Sequence, residues 1–135
     1  MDTRTVDLLR IRPAIPQETV YDSMGANERF QNVTLRPVIE LQNHLLVEAF
    51  KNYANKHKGV FYTLDLEKRF QYIENAIQKD IKFRNSLKGM VIGQFTVDEY
   101  LIYIEDSSAL NKRMMNLVVE CLKDQVQLLE LEACV

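Results

Sequence analysis

The side chains best suited to hold an anion lie in two polar stretches of this sequence. Arg84 and Asn85 stand in the first, and Asn111 and Arg113 stand in the second, "SSALNKRMMN". Guanidinium and amide groups donate hydrogen bonds to phosphate and carboxylate oxygens, and the second stretch opens a predicted helix whose N-terminus attracts negative charge. We therefore predict that a ligand pocket, if present, lies where these residues meet. The alternative is a set of salt bridges that joins the two helices.

A second group of residues has the types and spacing of metal ligands. Glu40, His44 and Glu48 recur at steps of four, so a helix would place them on one face. Helical bundles hold metals with such side chains. This face is opposite Leu41 and Leu45, however, which favours a solvated stripe with weak side-chain pairs. We predict no cofactor.

Residues 79–88 carry four cations and one acid. Lys79, Lys82, Arg84 and Lys88 could contact the phosphates of a nucleic acid. No interleaved aromatic residues and no helix-turn-helix signature accompany them. The pattern favours a solvated basic face, and nucleic-acid binding stays an alternative.

The stretch "LKGMVIGQFT", residues 87–96, comes close to a phosphate-binding loop. Gln94 stands where a P-loop has lysine, and a charged helix precedes it instead of a strand. Two interpretations of its glycines remain. In the first, Gly89 caps a helix and residues 90–92 form a buried connector; in the second, the helix continues and Gly89 and Gly93 admit a neighbouring helix.

No catalytic motif accompanies these groups. Neither His44 nor His57 stands in a motif with a serine or cysteine nucleophile. Cys121 and Cys134 form no Cys-x-x-Cys pair. We predict that Cys121 lies in the core, because it belongs to an apolar helical pattern.

The composition indicates a single globular domain. The chain has 135 residues, 47% of them hydrophobic, and a net charge of −2, which exerts no overall attraction on nucleic acid or on an anionic membrane. No apolar run approaches the roughly 20 residues of a membrane-spanning helix. Charged residues within the first twelve positions interrupt the apolar segment of a secretory signal. We expect a cytoplasmic protein without a membrane partner.

Residues 1–26 are predicted to form an irregular arm. Pro13, Pro16 and Gly25 interrupt any long helix there. A short helix near residues 3–10 and another near residues 27–32 are compatible with this pattern.

Residues 27–135 are predicted to form one helical domain. Apolar residues recur at helical spacing in four segments. Thr34 is expected to cap the first, with Pro37 in its first turn, and Gly59 to end it as a left-handed cap. We predict long helices near residues 34–58, 63–88 and 108–132, and a short helix that starts at Thr96.

Two features of this pattern bear on function. Thr96 and Glu99 form a capping box at the start of the short helix, whose apolar face is expected at Tyr100, Leu101 and Ile104. The last long helix has a wide apolar arc over residues 110–129, so it is either central in the fold or shared with a second chain. The fold class is therefore all-α, an antiparallel bundle of three long helices and one short helix.

The run "IENAIQKDIKFRNSLKGMVIGQFT", followed by "SSALNKRMMN", resembles a small family of uncharacterised helical bacterial proteins. The resemblance covers most of the chain after Asn27. Some members carry the label glyoxalase, but the family offers no functional residues to transfer. Glyoxalase I-like enzymes hold a metal on the strands of βαβββ modules, and the metallo-β-lactamase type needs a His-x-His-x-Asp-His run. This sequence has neither.

These observations favour a non-catalytic helical protein that binds a partner. The wide apolar arc suggests a homo-oligomer, a homodimer in the simplest case, or a complex with another protein. A small-molecule- or metal-binding enzyme, with a site near Arg84, Asn111 and Arg113 or near His44, is the first alternative. Nucleic-acid binding through residues 79–88 is the second.

Overall fold

The structure is a computed structural model that describes residues 2–14 and 24–126. No strand occurs in these ranges, and the all-α class is confirmed. A π-helical turn (Gln31–Leu35) and two 3-10 turns (Val60–Thr63 and Ile104–Asp106) lie between helices. The helices are α1 (Thr3–Ile11), α2 (Ala26–Phe30), α3 (Arg36–Leu41), α4 (Asn43–Lys56), α5 (Leu66–Lys79), α6 (Ile81–Ile92), α7 (Val97–Tyr103) and α8 (Ser107–Asp124).

The last helix, α8, is central in the fold. It packs against α3, α4, α5 and α6, which cover the apolar arc on several sides. The part of the arc within α8 is therefore buried within the chain and provides no argument for a second copy. Residues 127–135, which include the predicted end of this helix and Cys134, lie outside the described residues. The buried side chains of α8 are Leu110, Met114, Met115, Leu117, Val118, Val119 and Leu122.

The predicted start of the first long helix at Thr34 is wrong. The chain is already helical from Ala26 and passes through Thr34 in the π-helical turn. In this turn the N–H of Arg36 donates to the carbonyl of Gln31. Pro37 follows directly and has no N–H, so we attribute the wide turn to the break that this proline makes in the ladder of helical hydrogen bonds. The predicted end is confirmed, because Gly59 has a φ of 65°.

The predicted helix over residues 63–88 is two helices, α5 and α6. Asp80 separates them, with a non-helical ψ of 97°, and its Oδ1 accepts a hydrogen bond from the N–H of Phe83 at 3.1 Å. Aspartate caps a helix in this way because its short side chain competes with the backbone for the first free N–H groups. At the start of α5 the cap is Asp65 and not Thr63.

The glycine pair lies at the end of α6. The helix continues through Gly89 to Ile92, so the connector interpretation of residues 90–92 is wrong. A Cβ at Gly89 would meet no atom within 4 Å. A close approach by another helix is therefore not the reason for this glycine.

The N-terminal arm contains the predicted short helix, α1, and is not irregular over that stretch. No side chain of α1 is buried. Two arginines attach it to the α6–α7 junction: Arg4 donates to the carbonyl of Gly93 at 3.0 Å, and Arg12 donates to the carbonyl of Gln94 at 2.8 Å. Polar contacts near both ends thus position a helix too short to be stable alone.

The carboxylate of Glu99 is the main polar junction between α1, the π-helical turn and α7. Both of its oxygens accept from the Arg12 guanidinium at 2.6 Å. Oε2 also accepts from the Thr34 hydroxyl at 2.9 Å, and Oε1 accepts from the Thr96 N–H at 2.8 Å. The last contact completes the predicted capping box, which is confirmed.

The pKa of Glu99 reflects these contacts. Burial alone raises it, but hydrogen bonds from Arg12, Thr96 and Thr34 and the Arg12 charge outweigh burial and hold it below the ordinary value of 4.5. A carboxylate whose pKa is lower in the folded state stabilises the fold above its unfolded pKa. This stabilisation is lost as the pH falls through the folded-state pKa.

We therefore predict that Glu99→Gln lowers the free energy of unfolding at pH 7 by about 2–4 kcal/mol, since it leaves Arg12 without its carboxylate. Urea unfolding between pH 7 and pH 3 measures this effect. The difference from wild type should shrink below about pH 4.5. Asp98→Asn, at an exposed neighbouring position, is the control and should change stability little. A constant difference over the whole range would contradict the role of the Glu99 charge.

Candidate functional site

A groove between α6 and the first half of α8 contains two of the four predicted ligand-binding residues. Arg84 and Asn111 both line it, as do Lys88 from α6 and Lys112 from α8. Its volume is about 440 Å³, which is within the usual range for small-molecule sites, roughly 300–1,000 Å³. We call this groove, lined by Arg84, Lys88, Asn111 and Lys112, the basic groove.

The helix break at Asp80 and the centrality of α8 position this groove. Arg84 and Lys88 are four residues apart, so α6 presents them on one face. Lys112 and Asn111 lie one turn into α8. Met115, which is 8% exposed, adds a small apolar surface to the groove, whereas Ile77 is fully buried.

Hydrogen bonds orient two of the polar side chains. Arg84 donates to the carbonyl of Gln78 at 3.3 Å, which holds the guanidinium near the end of α5. The hydroxyl of Tyr103 donates to Oδ1 of Asn111 at 2.6 Å. This contact orients the amide, and its NH₂ group is the donor that Asn111 offers to a ligand.

The charged side chains that line the groove are all cations. Its lining includes Arg84, Lys88 and Lys112 and no carboxylate, and within residues 2–14 and 24–126 none of the three cations forms an ion pair. Three other clefts of the molecule each contain at least one carboxylate. The basic groove thus concentrates positive charge in a chain whose net charge is −2.

The other two predicted ligand-binding residues lie elsewhere. Asn85 is exposed and does not line the groove. Arg113 donates to Oε1 of Gln31 at 2.8 Å, so it joins α8 to the π-helical turn. The sequence placed all four residues on helices, but it did not show on which side of α6 or α8 each residue lies.

The predicted metal ligands Glu40, His44 and Glu48 are all exposed. Glu48 pairs with Lys51 at 3.3 Å. Within the described ranges no group of three or more histidine, cysteine, aspartate or glutamate residues is placed to hold a metal ion.

The basic stretch of residues 79–88 is divided between two places. Arg84 and Lys88 line the basic groove, whereas Lys79 and Lys82 line a separate cleft at the helix break. The four cations are therefore not gathered in one cleft.

This second cleft, at the Asp80 break, contains an aromatic cluster that the sequence did not reveal. The Tyr53 ring stacks on Phe83 with their centroids 4.1 Å apart, and His57 lies 4.2 Å from Tyr53. The Tyr53 hydroxyl lies 3.2 Å from Oδ2 of Asp80, to which it donates. Burial, together with the charge and hydrogen bond of Asp80, raises the pKa of Tyr53 to about 12. At neutral pH this hydroxyl is a hydrogen-bond donor and not a base.

Cys121 packs against the core, as predicted. Its thiol lies 3.0 Å from Oδ1 of Asn43, to which it donates. Burial and the nearby Asp124 raise the pKa of Cys121 to about 11. The thiol is protonated at neutral pH and is a poor nucleophile.

One exposed apolar surface was not anticipated. The predicted apolar face of α7 at Leu101 and Ile104 does not point into the core, since these side chains are 53% and 49% exposed. Val97 and Tyr100 are exposed as well, and Tyr103 is the one residue of α7 that is buried. We call Val97, Tyr100, Leu101 and Ile104 the α7 face.

Two substitutions of Asp80 separate the effect of its charge from the effect of its helix cap. We predict that Asp80→Asn, which keeps a capping side chain but removes the charge, lowers the pKa of Tyr53 below about 12. Asp80→Ala, which also removes the cap, should reduce the free energy of unfolding by about 1–2 kcal/mol. Ultraviolet titration gives the pKa, with Tyr53→Phe as the reference that assigns the signal, and urea unfolding gives the stability. An unchanged Tyr53 pKa in Asp80→Asn would show that Asp80 does not influence the hydroxyl.

No helix in the described part of the chain has the length and apolar content required to cross a membrane. No family model, curated protein or solved structure matches the sequence, so the resemblance to the family of helical bacterial proteins stays a prediction.

Proposed function

We propose that this protein is a non-catalytic binding protein that docks a partner protein on the α7 face. The predicted homodimer rested on the arc of α8, which is buried in the chain's own core. We therefore propose that the binding surface lies on α7 and not on α8. We retain the predicted cytoplasmic location and the predicted antiparallel packing of neighbouring helices.

The observation that carries the proposal is the exposure of four apolar side chains in a row. Val97, Tyr100, Leu101 and Ile104 have the spacing i, i+3, i+4, i+7, and each is at least 45% exposed. This is the spacing by which one helix presents apolar anchors to another protein. Single exposed apolar residues are common on protein surfaces, but a contiguous row marks an interaction site more often.

The charge around the α7 face indicates the chemistry of the partner. Residues 97–106 contain four acids and no cation. The carboxylate of Glu99 is paired with Arg12, but Asp98, Glu105 and Asp106 are exposed. Complementary charges favour a partner whose apolar stripe is flanked by lysine or arginine, such as a basic amphipathic helix.

A second copy of this chain fits the same surface less well. If two α7 faces met about a two-fold axis, each interface residue would meet the equivalent surface of the other copy. The exposed acids beside the face would then lie near each other and repel. Self-association is accordingly an outcome that would contradict the proposal.

Site-specific photo-crosslinking in cells of the source organism tests the proposal. We predict that a photoreactive residue at Leu101 links the protein to a partner segment that is apolar and flanked by lysine or arginine, as identified by peptide mass spectrometry. The same residue at Leu45, a leucine of α4 that is 49% exposed, is the matched control and should not capture that segment.

A second measurement tests the interaction with purified components. The captured segment, made as a peptide, should bind the wild-type protein, and Leu101→Ser should weaken binding about tenfold or more, as expected for an anchor residue in an interface. Leu45→Ser should bind as wild type. Equal crosslinking at both positions, an acidic partner segment, or crosslinks to a second copy of the chain together with a dimer in light scattering would overturn the proposal.

A further inference from the structure

We infer that the basic groove is a binding site for the phosphate group of a small organic phosphate. This site is separate from the α7 face and does not depend on the proposed function. A volume of about 440 Å³ suits a small molecule and not a folded partner.

The charge of the groove favours a dianion. Arg84, Lys88 and Lys112 meet there without a carboxylate in the lining, and in the described residues no ion pair neutralises them. A carboxylate ligand would bring one negative charge to three cations, whereas a phosphate monoester brings about two at neutral pH. Arginine and lysine are also the usual partners of phosphate oxygens.

The hydrogen-bonding groups favour an acceptor-rich ligand in the same way. The hydrogen bond from Tyr103 to Oδ1 orients the Asn111 amide, whose NH₂ group is its donor to a ligand. The Gln78 carbonyl, an acceptor beside the groove, already receives a hydrogen bond from Arg84. Phosphate oxygens accept and do not donate when fully ionised, which matches a site whose free groups are mainly donors.

The apolar part of the lining favours an ester over inorganic phosphate. Met115, which is 8% exposed, adds apolar surface beside the cations. An organic group attached to the phosphate would contact this surface and add apolar burial to the charge interaction. We therefore expect the ligand to be a phosphate ester whose organic part lies against Met115.

A titration with phenyl phosphate, inorganic phosphate and benzoate at constant ionic strength tests this inference. Calorimetry gives the affinity and stoichiometry, and the side-chain amide signal of Asn111 in nuclear magnetic resonance spectra reports the location. We expect one site per chain, with phenyl phosphate bound most tightly, benzoate most weakly, and a shift of the Asn111 amide signal.

Two double variants that remove the same charge provide the decisive comparison. Arg84→Gln/Lys112→Gln should weaken phenyl phosphate binding about a hundredfold, because each charged hydrogen bond lost costs roughly a factor of ten. Lys79→Gln/Lys82→Gln, in the separate cleft, should change it less than about twofold. Circular dichroism checks that each variant folds. If the first variant fails to fold, Lys88→Gln replaces it and should weaken binding about tenfold.

Three results would overturn the inference. The first is no binding of phenyl phosphate at millimolar concentration. The second is an equal loss of affinity in both double variants, which would indicate a general effect of net charge. The third is that a single-stranded oligonucleotide binds more tightly than phenyl phosphate and depends on Lys79 and Lys82, which would indicate a nucleic-acid surface.

Discussion

The architecture of this protein depends on one carboxylate, that of Glu99. It completes the capping box of α7, accepts a hydrogen bond from the Thr34 hydroxyl in the π-helical turn, and pairs with Arg12 at the end of α1. These elements are far apart in the sequence and share little apolar contact, because α1 buries no side chain and α7 buries Tyr103 alone. A buried ion pair of this kind fixes position more than it adds net stability. It thereby fixes where the exposed side of α7 lies.

Exposure of the α7 face follows from that arrangement. The core around α8 is filled by helices on both sides of the Asp80 break, and α7 is attached mainly by its cap and by the ring of Tyr103, which lies 5.7 Å from that of Phe95. The apolar residues of the α7 face then remain at least 45% exposed. The same helix break sets α6 off from α5 and places Arg84 and Lys88 opposite Lys112, which creates the basic groove.

Features set by local chemistry were predictable from the sequence. The capping box of Thr96 and Glu99, the left-handed Gly59 and the apolar character of α8 all depend on residues within one or two turns. Thr34 was predicted to cap a helix and does not, whereas Asp80 was placed inside a helix and caps one. The two errors have a related reason. Each is a good capping residue, and only contacts from distant segments decide whether it caps, as at Asp80, or joins another element, as Thr34 joins Glu99. That Arg84 lies near Asn111 was predicted, and both line the basic groove, whereas the direction of Arg113 depends on its contact with Gln31.

The most direct measurement is the relaxation of methyl signals by a soluble paramagnetic agent, recorded for the free protein and for its complex. We expect the methyl groups of Leu101 and Ile104 to relax strongly in the free protein and to be protected in the complex. Those of Leu122, which is fully buried, should be protected in both states. Protection of Leu101 and Ile104 in the free protein, or their continued exposure in the complex, would contradict a binding function for α7.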